Sequence, residues 1–383
     1  MSGDRYDVIV IGVGAMGAST CWHLARRGHR VLGLEQFGIP HDLGSSHGQS
    51  RMIRLAYYEH ADYVPLLKRA YALWRELEGE SGRQVLFPCG GLYMGPASGE
   101  FVRKSAEAAD RYGLAYERLE ADELRRRYPM FVVPGNYAAM FEPGAGYLRC
   151  EDAVSDLTAQ ARGHGARLHE HEAVRAWEAH GRGVSVTTEG GVYQAEKLVI
   201  TAGAWSQAVV PDLGAPLSVT RQTMAWLEPT EPQLFTADRF PCWGIEDPDG
   251  AGLFYGFPPA AGKPGLKVAH HRPGEIVDAS TVDRSPRSGD ADPLLKLARA
   301  HLPKAAGTVL SLGVCLYTNS PDSHFIIDHH PDPATEGRVA LACGFSGHGF
   351  KFTSVVGEAL ADLATEGSTD LPIGFLGLGR FAK

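Results

Sequence analysis

The sequence predicts an α/β protein: a Rossmann-type dinucleotide-binding domain built from discontinuous segments, with an inserted α+β domain that carries a mainly antiparallel sheet. Three observations predict it. Residues 7–35 read as strand, glycine-rich turn, helix, strand and acidic residue. Residues 338–365 read as strand, glycine-rich turn and helix. Between them, Pro216–Pro303 is rich in Pro and Gly and carries strand-like runs. At 383 residues the chain is too long for one simple core and suits two interleaved domains. The expected division gives residues 1–85, 146–215 and 315–383 to the nucleotide domain, and 86–145 and 216–314 to the substrate domain.

Each element has its own signal. Asp7–Ile11 is a short β-branched apolar run bounded by glycine, the mark of a buried parallel strand. Ala15–Arg27 has helical periodicity, with Arg26 and Arg27 suited to a helix C-terminus and Gly28 to the residue beyond it. Val31–Leu34 is a second apolar strand that ends at Glu35. Helices are expected over Tyr63–Glu80, Phe101–Tyr112 and Glu151–Gly163, and strands with turns over Leu168–Ala202. Leu198–Thr201, Val309–Tyr317 and Arg338–Ala342 read as further strands, and Phe352–Thr365 as the final helix. There is no internal repeat and no low-complexity segment.

Composition narrows the function classes. With 44% hydrophobic and 21% charged residues the chain is an ordinary globular protein. Its net charge is −8 and its one basic run, Arg125–Arg127, sits beside Glu120, Asp122 and Glu123, so nucleic acid is not the expected partner. No apolar run approaches the roughly 18–20 residues of a membrane span. The start, Met1-Ser2-Gly3-Asp4-Arg5, lacks a basic n-region, and a cytoplasmic protein is expected. The six cysteines are scattered, with neither a CxxC pair nor zinc spacing, so reduced thiols are expected. His270, His271, His324, His329, His330 and His348 are numerous, but no HExxH or carboxylate spacing accompanies them, so no metal is expected.

Gly12-Val13-Gly14-Ala15-Met16-Gly17 is a GxGxxG between strand and helix. Gly12 serves the tight turn. Gly14 lets a pyrophosphate reach the backbone of Ala15 and Met16 at the helix N-terminus, and Gly17 lets helix and sheet approach. Glu35 follows the second strand, placed to accept from ribose hydroxyls. This pattern does not separate NAD from FAD. Leu341–Phe350 (LACGFSGHGF) supplies the distinction: a second glycine-rich helix N-terminus, suited to the negative charge that a flavin ring takes up on reduction. The Rossmann-type domain is then read as FAD-binding.

Several motifs in one order carry a resemblance: Asp7–Gly17, Gly44–Tyr57 (GSSHGQSRMIRLAY), Phe141-Glu142-Pro143, Tyr255–Pro258 with Gly265-Leu266-Lys267, Val314–Tyr317 (VCLY), His324–Asp328 (HFIID) and Gly344–Phe352 (GFSGHGFKF). Over nearly its full length the chain resembles the flavoprotein family of monomeric sarcosine oxidases and N-methyltryptophan oxidases. The resemblance implies FAD held covalently through a thioether at Cys315. Read alone, Cys315 would be a buried inert thiol. Arg54 and Lys351 match the pair that holds a substrate carboxylate, and their chemistry suits it: a planar fork and a point charge. Lys267 matches a lysine used when reduced flavin meets oxygen. Lys267, Ala269 and His271 alternate on one face of a probable strand; His271 matches a substrate-side histidine, with His270 adjacent.

Arg51 and His47 resemble contacts to the flavin ring, although Ser46, Gln49 and Ser50 depart from the residues usual there. Tyr255 and Tyr317 match pocket walls. The resemblance also implies cofactor contacts from Ser45, Val174, Ala202, Gly203 and Trp205, and from Gly347, Gly349, Phe350 and Lys351. It implies a monomer that oxidises the secondary amine of an N-methyl amino acid, sarcosine or a bulkier analogue, with O2 reduced to hydrogen peroxide. A flavin-dependent amine dehydrogenase and a cyclic imino-acid oxidase remain alternatives. Gly244 stands where sarcosine-preferring relatives carry a bulkier residue, which predicts an enlarged pocket.

Overall fold

The computed structural model describes residues 5–247, 252–272 and 274–382; Met1–Asp4 lie outside the described residues. The strand Arg5–Ile11 pairs in parallel with Val31–Leu34 on one side and Val192–Ile200 on the other. Four consecutive residues, Val8 to Ile11 apart, show why: β-branched side chains fill both faces of a strand that has layers on each side. Val192–Ile200 pairs in parallel with Val339–Cys343, and Val31–Leu34 with Arg167–His169. Strands from the start, the middle and the last quarter of the chain therefore share one sheet, which has eight strands among the described residues.

Helix Ala15–Arg26 lies on this sheet and packs against helix Thr353–Glu366. The two come unusually close at Gly357, where a Cβ would lie 2.2 Å from Ser19 Oγ. His23 Nε2 sits 2.9 Å from the carbonyl of Ser354 across the same seam. Trp22, Leu24, Val355 and Leu360 are buried in one core there. Each such side chain contributes about 1.5–3 kcal/mol.

The second sheet has nine strands among the described residues. Ser218–Leu227 lies between Leu266–His271 and Val309–Asn319, antiparallel to both. Gly91–Pro96 and Cys242–Glu246 pair in parallel. Helix Asp292–His301 covers one face through Leu294, Leu297 and Ala298. The Pro216–Pro303 region thus holds a helix as well as the expected strands; Pro293 in its first turn and the apolar spacing that follows are its signal. A small sheet of Ser50–Ile53, Leu86–Pro88 and Gly146–Arg149 completes the fold.

Val309–Asn319 belongs entirely to the second sheet, and Cys315 sits in mid-strand opposite Gln222. The division expected between residues 314 and 315 falls inside this strand; we propose drawing it after Asn319. Among the described residues no helix is long and apolar enough to cross a membrane, and no group of three or more His, Cys, Asp or Glu is placed to hold a metal ion.

Candidate active site

The glycines of the first turn have separate steric roles. Gly12 has φ +84°, and a Cβ on it would lie 2.7 Å from the Thr201 carbonyl oxygen. A Cβ on Gly17 would lie 1.9 Å from the Gly12 carbonyl, so only glycine lets the helix sit this close. Beside Gly14 the nearest atom, Ser46 Oγ, is 3.8 Å away, which leaves room for a ligand. Glu35 accepts from the backbone N–H of Val13 at 2.8 Å and of Phe37 at 3.1 Å. Burial raises its carboxyl pKa despite these bonds.

These residues form one end of a cavity of about 760 Å³. Ala15, Met16, Val174, Ala202, Gly203 and Trp205 line it alongside Gly12, Gly14 and Glu35. Ser45, Arg51, Cys315 and Tyr317 line the other end, with Gly347, Gly349 and Phe350. Gly17 is a packing residue and does not face the cavity. His47 stands behind the wall, beside Cys315.

The segment Ser45–Arg54 joins this cavity to a second one, and it is held from every side. Ser45 Oγ donates to the Leu316 carbonyl at 2.5 Å. Glu151 accepts from the N–H of Gly48 at 2.7 Å and of Gln49 at 3.1 Å. Lys267 Nζ donates to the carbonyls of Gly48 at 2.7 Å and Ser50 at 2.6 Å. Gln49 Oε1 accepts from Trp226 Nε1 at 2.6 Å. Lys267 lines neither cavity. Burial, with Arg51 nearby, brings its pKa down to about 7. Arg51 Nη2 donates to the Ser45 carbonyl at 3.1 Å and lies 3.5 Å from Cys315 Sγ. Burial pushes the Cys315 thiol up, but His47, Arg51 and Lys267 outweigh it and bring it down to about 7.

The second cavity is small, about 70 Å³, and shares Arg51, Gly347 and Phe350 with the first. Arg54, Lys351, Tyr255 and His271 stand in its wall. Arg54 is already occupied: its guanidinium meets both oxygens of Glu59, at 2.9 and 2.8 Å. Burial works against its charge, but Glu59 more than compensates and raises its pKa. Lys351 Nζ donates to the His348 carbonyl at 2.6 Å and to Tyr57 Oη at 3.3 Å. Burial and then Arg54 bring Lys351 down to about 7. His271 Nδ1 lies 3.3 Å from Tyr317 Oη, and burial holds the imidazole neutral, with its pKa down to about 4. His270 points the other way, stacked on Phe254 at 3.7 Å and 3.0 Å from Asp247.

The space beside Gly244 is filled. A Cβ there would lie 2.8 Å from the Phe101 ring. Phe101 is held by Tyr58 at 5.1 Å and Tyr93 at 5.3 Å between ring centres. The expected enlargement at Gly244 is therefore absent, because Phe101, from helix Glu100–Tyr112, fills the space beside this strand residue.

A family model described as FAD dependent oxidoreductase (DAO) matches residues 7–363. The chain belongs to this family. Among the relatives of this FAD-dependent oxidoreductase is a monomeric sarcosine oxidase of Streptomyces avermitilis, 42% identical over 98% of each chain. An N-methyl-L-tryptophan oxidase of Yersinia pestis is 36% identical over 98% of this chain and 99% of its own. The structure of NikD, an unusual amino acid oxidase essential for nikkomycin biosynthesis, superposes with a TM-score of 0.86 at 28% identity, covering 98% of this chain and 97% of that one. The residues present fit FAD: an open approach at Gly14, a carboxylate at the ribose position in Glu35, and a thiol and a guanidinium at the far end of one continuous cavity.

Sequence reading did not find Glu59, Glu151 or Phe101. Glu59 lies five residues beyond Arg54, but nothing in the spacing says that the chain folds back to pair them. Removing the negative charge, Glu59→Gln, is expected to make acetate bind several-fold tighter at the Arg54 site, measured by titration of the flavin spectrum. Unchanged or weaker acetate binding would show that Glu59 does not occupy the carboxylate position.

Proposed function

We propose that this FAD-dependent oxidoreductase oxidises the secondary amine of a small N-methyl amino acid to an imine. Water then hydrolyses the imine, for sarcosine to glycine and formaldehyde, and O2 is reduced to hydrogen peroxide. The observation that carries this reading is the pair of buried cations, Arg54 and Lys351, in a small cavity that meets the cofactor cavity at Arg51, Gly347 and Phe350. The relatives, a sarcosine oxidase and an N-methyl-L-tryptophan oxidase by name, support an amine as the group oxidised.

The chain's residues have definite tasks in this reading. Arg54 offers its fork to the substrate carboxylate in place of Glu59, and Lys351 adds a point charge. An incoming carboxylate favours the charged form of Lys351, whose pKa burial and Arg54 bring down to about 7. A free secondary amine has a pKa of ~10, like a lysine. Arg51, Arg54 and Lys351 surround the cavity and favour the neutral amine, the form that can lose a hydride. His271 and Tyr317 present neutral polar groups to the reacting amine. FAD held by the Gly12–Gly17 turn, Glu35 and the Gly347–Phe350 turn would supply the hydride acceptor and the means of reducing oxygen. Lys267 supplies the buried positive charge for the oxygen half-reaction.

The substrate is small in this reading, because the second cavity is only about 70 Å³ and aromatic side chains stand in its wall. Phe101 sets this limit. Phe101→Ala should therefore raise kcat/KM for bulky N-methyl amino acids relative to sarcosine by about tenfold or more, in an oxygen-uptake assay across a substrate panel. A wild-type enzyme that already prefers the bulky substrates would overturn the size limit.

We take FAD to be tethered at Cys315. A thiol near pKa 7 is substantially thiolate at neutral pH, the nucleophilic form. Acid precipitation of the purified holoenzyme is expected to leave the yellow colour in the pellet, and Cys315→Ser to release it to the supernatant. Colour in the wild-type supernatant removes the tether; a colourless protein removes the flavin reading altogether. Lys267→Met is expected to slow flavin reoxidation by about 100-fold while reduction changes little, in stopped-flow measurements of each half-reaction. Equal slowing of both would reduce Lys267 to a support for the Ser45–Arg54 segment.

A further inference from the structure

Cys89 and Cys242 lie outside both cavities, and their Sγ atoms are 3.5 Å apart. The backbone imposes this contact. Cys242 N donates to the Gly90 carbonyl at 3.1 Å, and Cys242 pairs in parallel register with Gly91. Gly90 N in turn donates to the Ala145 carbonyl at 2.9 Å. Cys242 is buried, whereas Cys89 is half-buried and open to small solutes. Tyr147 and Phe257 pack around the pair. The other face of the site is near: Lys267 Nζ stands 5.0 Å from the centre of the same Phe257 ring.

We propose that Cys89 and Cys242 form a peroxide-reactive dithiol that closes to a disulfide. The Cys89 thiolate attacks one oxygen of hydrogen peroxide. An S–O bond forms, the O–O bond breaks, and the departing hydroxide takes a proton to become water. The Cys242 sulfur then attacks the Cys89 sulfur. The S–S bond forms, the S–O bond breaks, and the hydroxide leaves with the Cys242 proton as a second water. Two thiols lose two electrons and two protons in all, and one peroxide becomes two waters.

The two sulfurs are suited to these different roles. The hydrogen bond from Cys242 holds the Cys89 thiol below its ordinary value against the effect of burial. Burial, and then Cys89 itself, push Cys242 up. Cys89 is thus both the accessible sulfur and the better thiolate, which makes it the attacking group. Closure to an S–S bond of ~2.05 Å needs a movement of only ~1.5 Å. Cys21, Cys150 and Cys343 are each buried and pushed up to about 12 by that burial, so they stay inert. The oxidant is one that the proposed reaction itself produces, and to that extent the physiological source rests on the preceding reading.

The test has two arms. In the first, holoenzyme is treated with hydrogen peroxide, quenched with N-ethylmaleimide, digested and mapped by mass spectrometry without reduction. A Cys89–Cys242 linked peptide that dithiothreitol reverses is expected, absent from Cys89→Ser. In Cys242→Ser, Cys89 should instead be trapped by dimedone as sulfenic acid. Wild-type Cys89 found as sulfinic acid without linkage, or both thiols still alkylated, overturns the proposal. In the second arm, the enzyme turns over sarcosine in air, with and without catalase. Linkage that catalase suppresses is expected. If added peroxide links the pair but turnover produces no peroxide, the function proposed above fails and the dithiol stands.

Discussion

Lys267 Nζ holds the main-chain oxygens of Gly48 and Ser50, and the segment that carries four residues of the site is fixed by that grip. Ser45–Arg54 is a connecting segment that leads from the nucleotide sheet into the strand Ser50–Ile53 of the small sheet. Its carbonyls meet a lysine from one side while its N–H groups meet the carboxylate of Glu151 from the other. Charge-assisted bonds of this kind contribute about 1.5–3 kcal/mol each. They offset a left-handed backbone at Gln49, with φ +68°, which costs a non-glycine residue about 1–2 kcal/mol. Ser45, His47, Arg51 and Arg54 all ride on this segment, so a charge buried in the second sheet registers the two halves of the site against each other.

The sequence made the nucleotide half readable because local physics decides it. A turn that admits only glycine at Gly12 and Gly17 leaves a local signature, and so does a strand that is apolar on both faces. Helix limits followed for the same reason: Tyr63–Ser81 and Thr353–Glu366 end at Gly82 and Gly367, both left-handed. The substrate half was less legible. Helix Asp292–His301 is short and sits among prolines, and the strand Ser50–Ile53 is held by partners about 100 residues away. The side chain that shapes the pocket at Gly244 comes from Phe101, on a helix far off in sequence. A missing side chain at one position says nothing about which neighbour moves in.

The small cavity also shows how a cluster of buried cations is accommodated in the fold. Arg54 and Lys351 are buried together and repel each other. Glu59 relieves the arginine, and Lys351 is relieved by the ease with which it gives up its proton. Burial of Arg54 without a carboxylate would be costly. The arginine is kept paired by a carboxylate of the chain itself, so its charge is not left bare.

The seam between helices Ala15–Arg26 and Thr353–Glu366 has a consequence for how the protein is made. Gly357 rests on Ser19, and Gly347, Gly349 and Phe350 face Gly12 and Gly14 across one cavity. During synthesis the phosphate turn is made long before the opposite wall, which is missing until Gly347–Phe350 and the helix that follows have been added. Cofactor capture is therefore a late event in biosynthesis. Until then the core around Trp22 and Leu24 has the cover of helix Cys150–Gly163 but lacks Val355 and Leu360, so it stays half-built through most of synthesis.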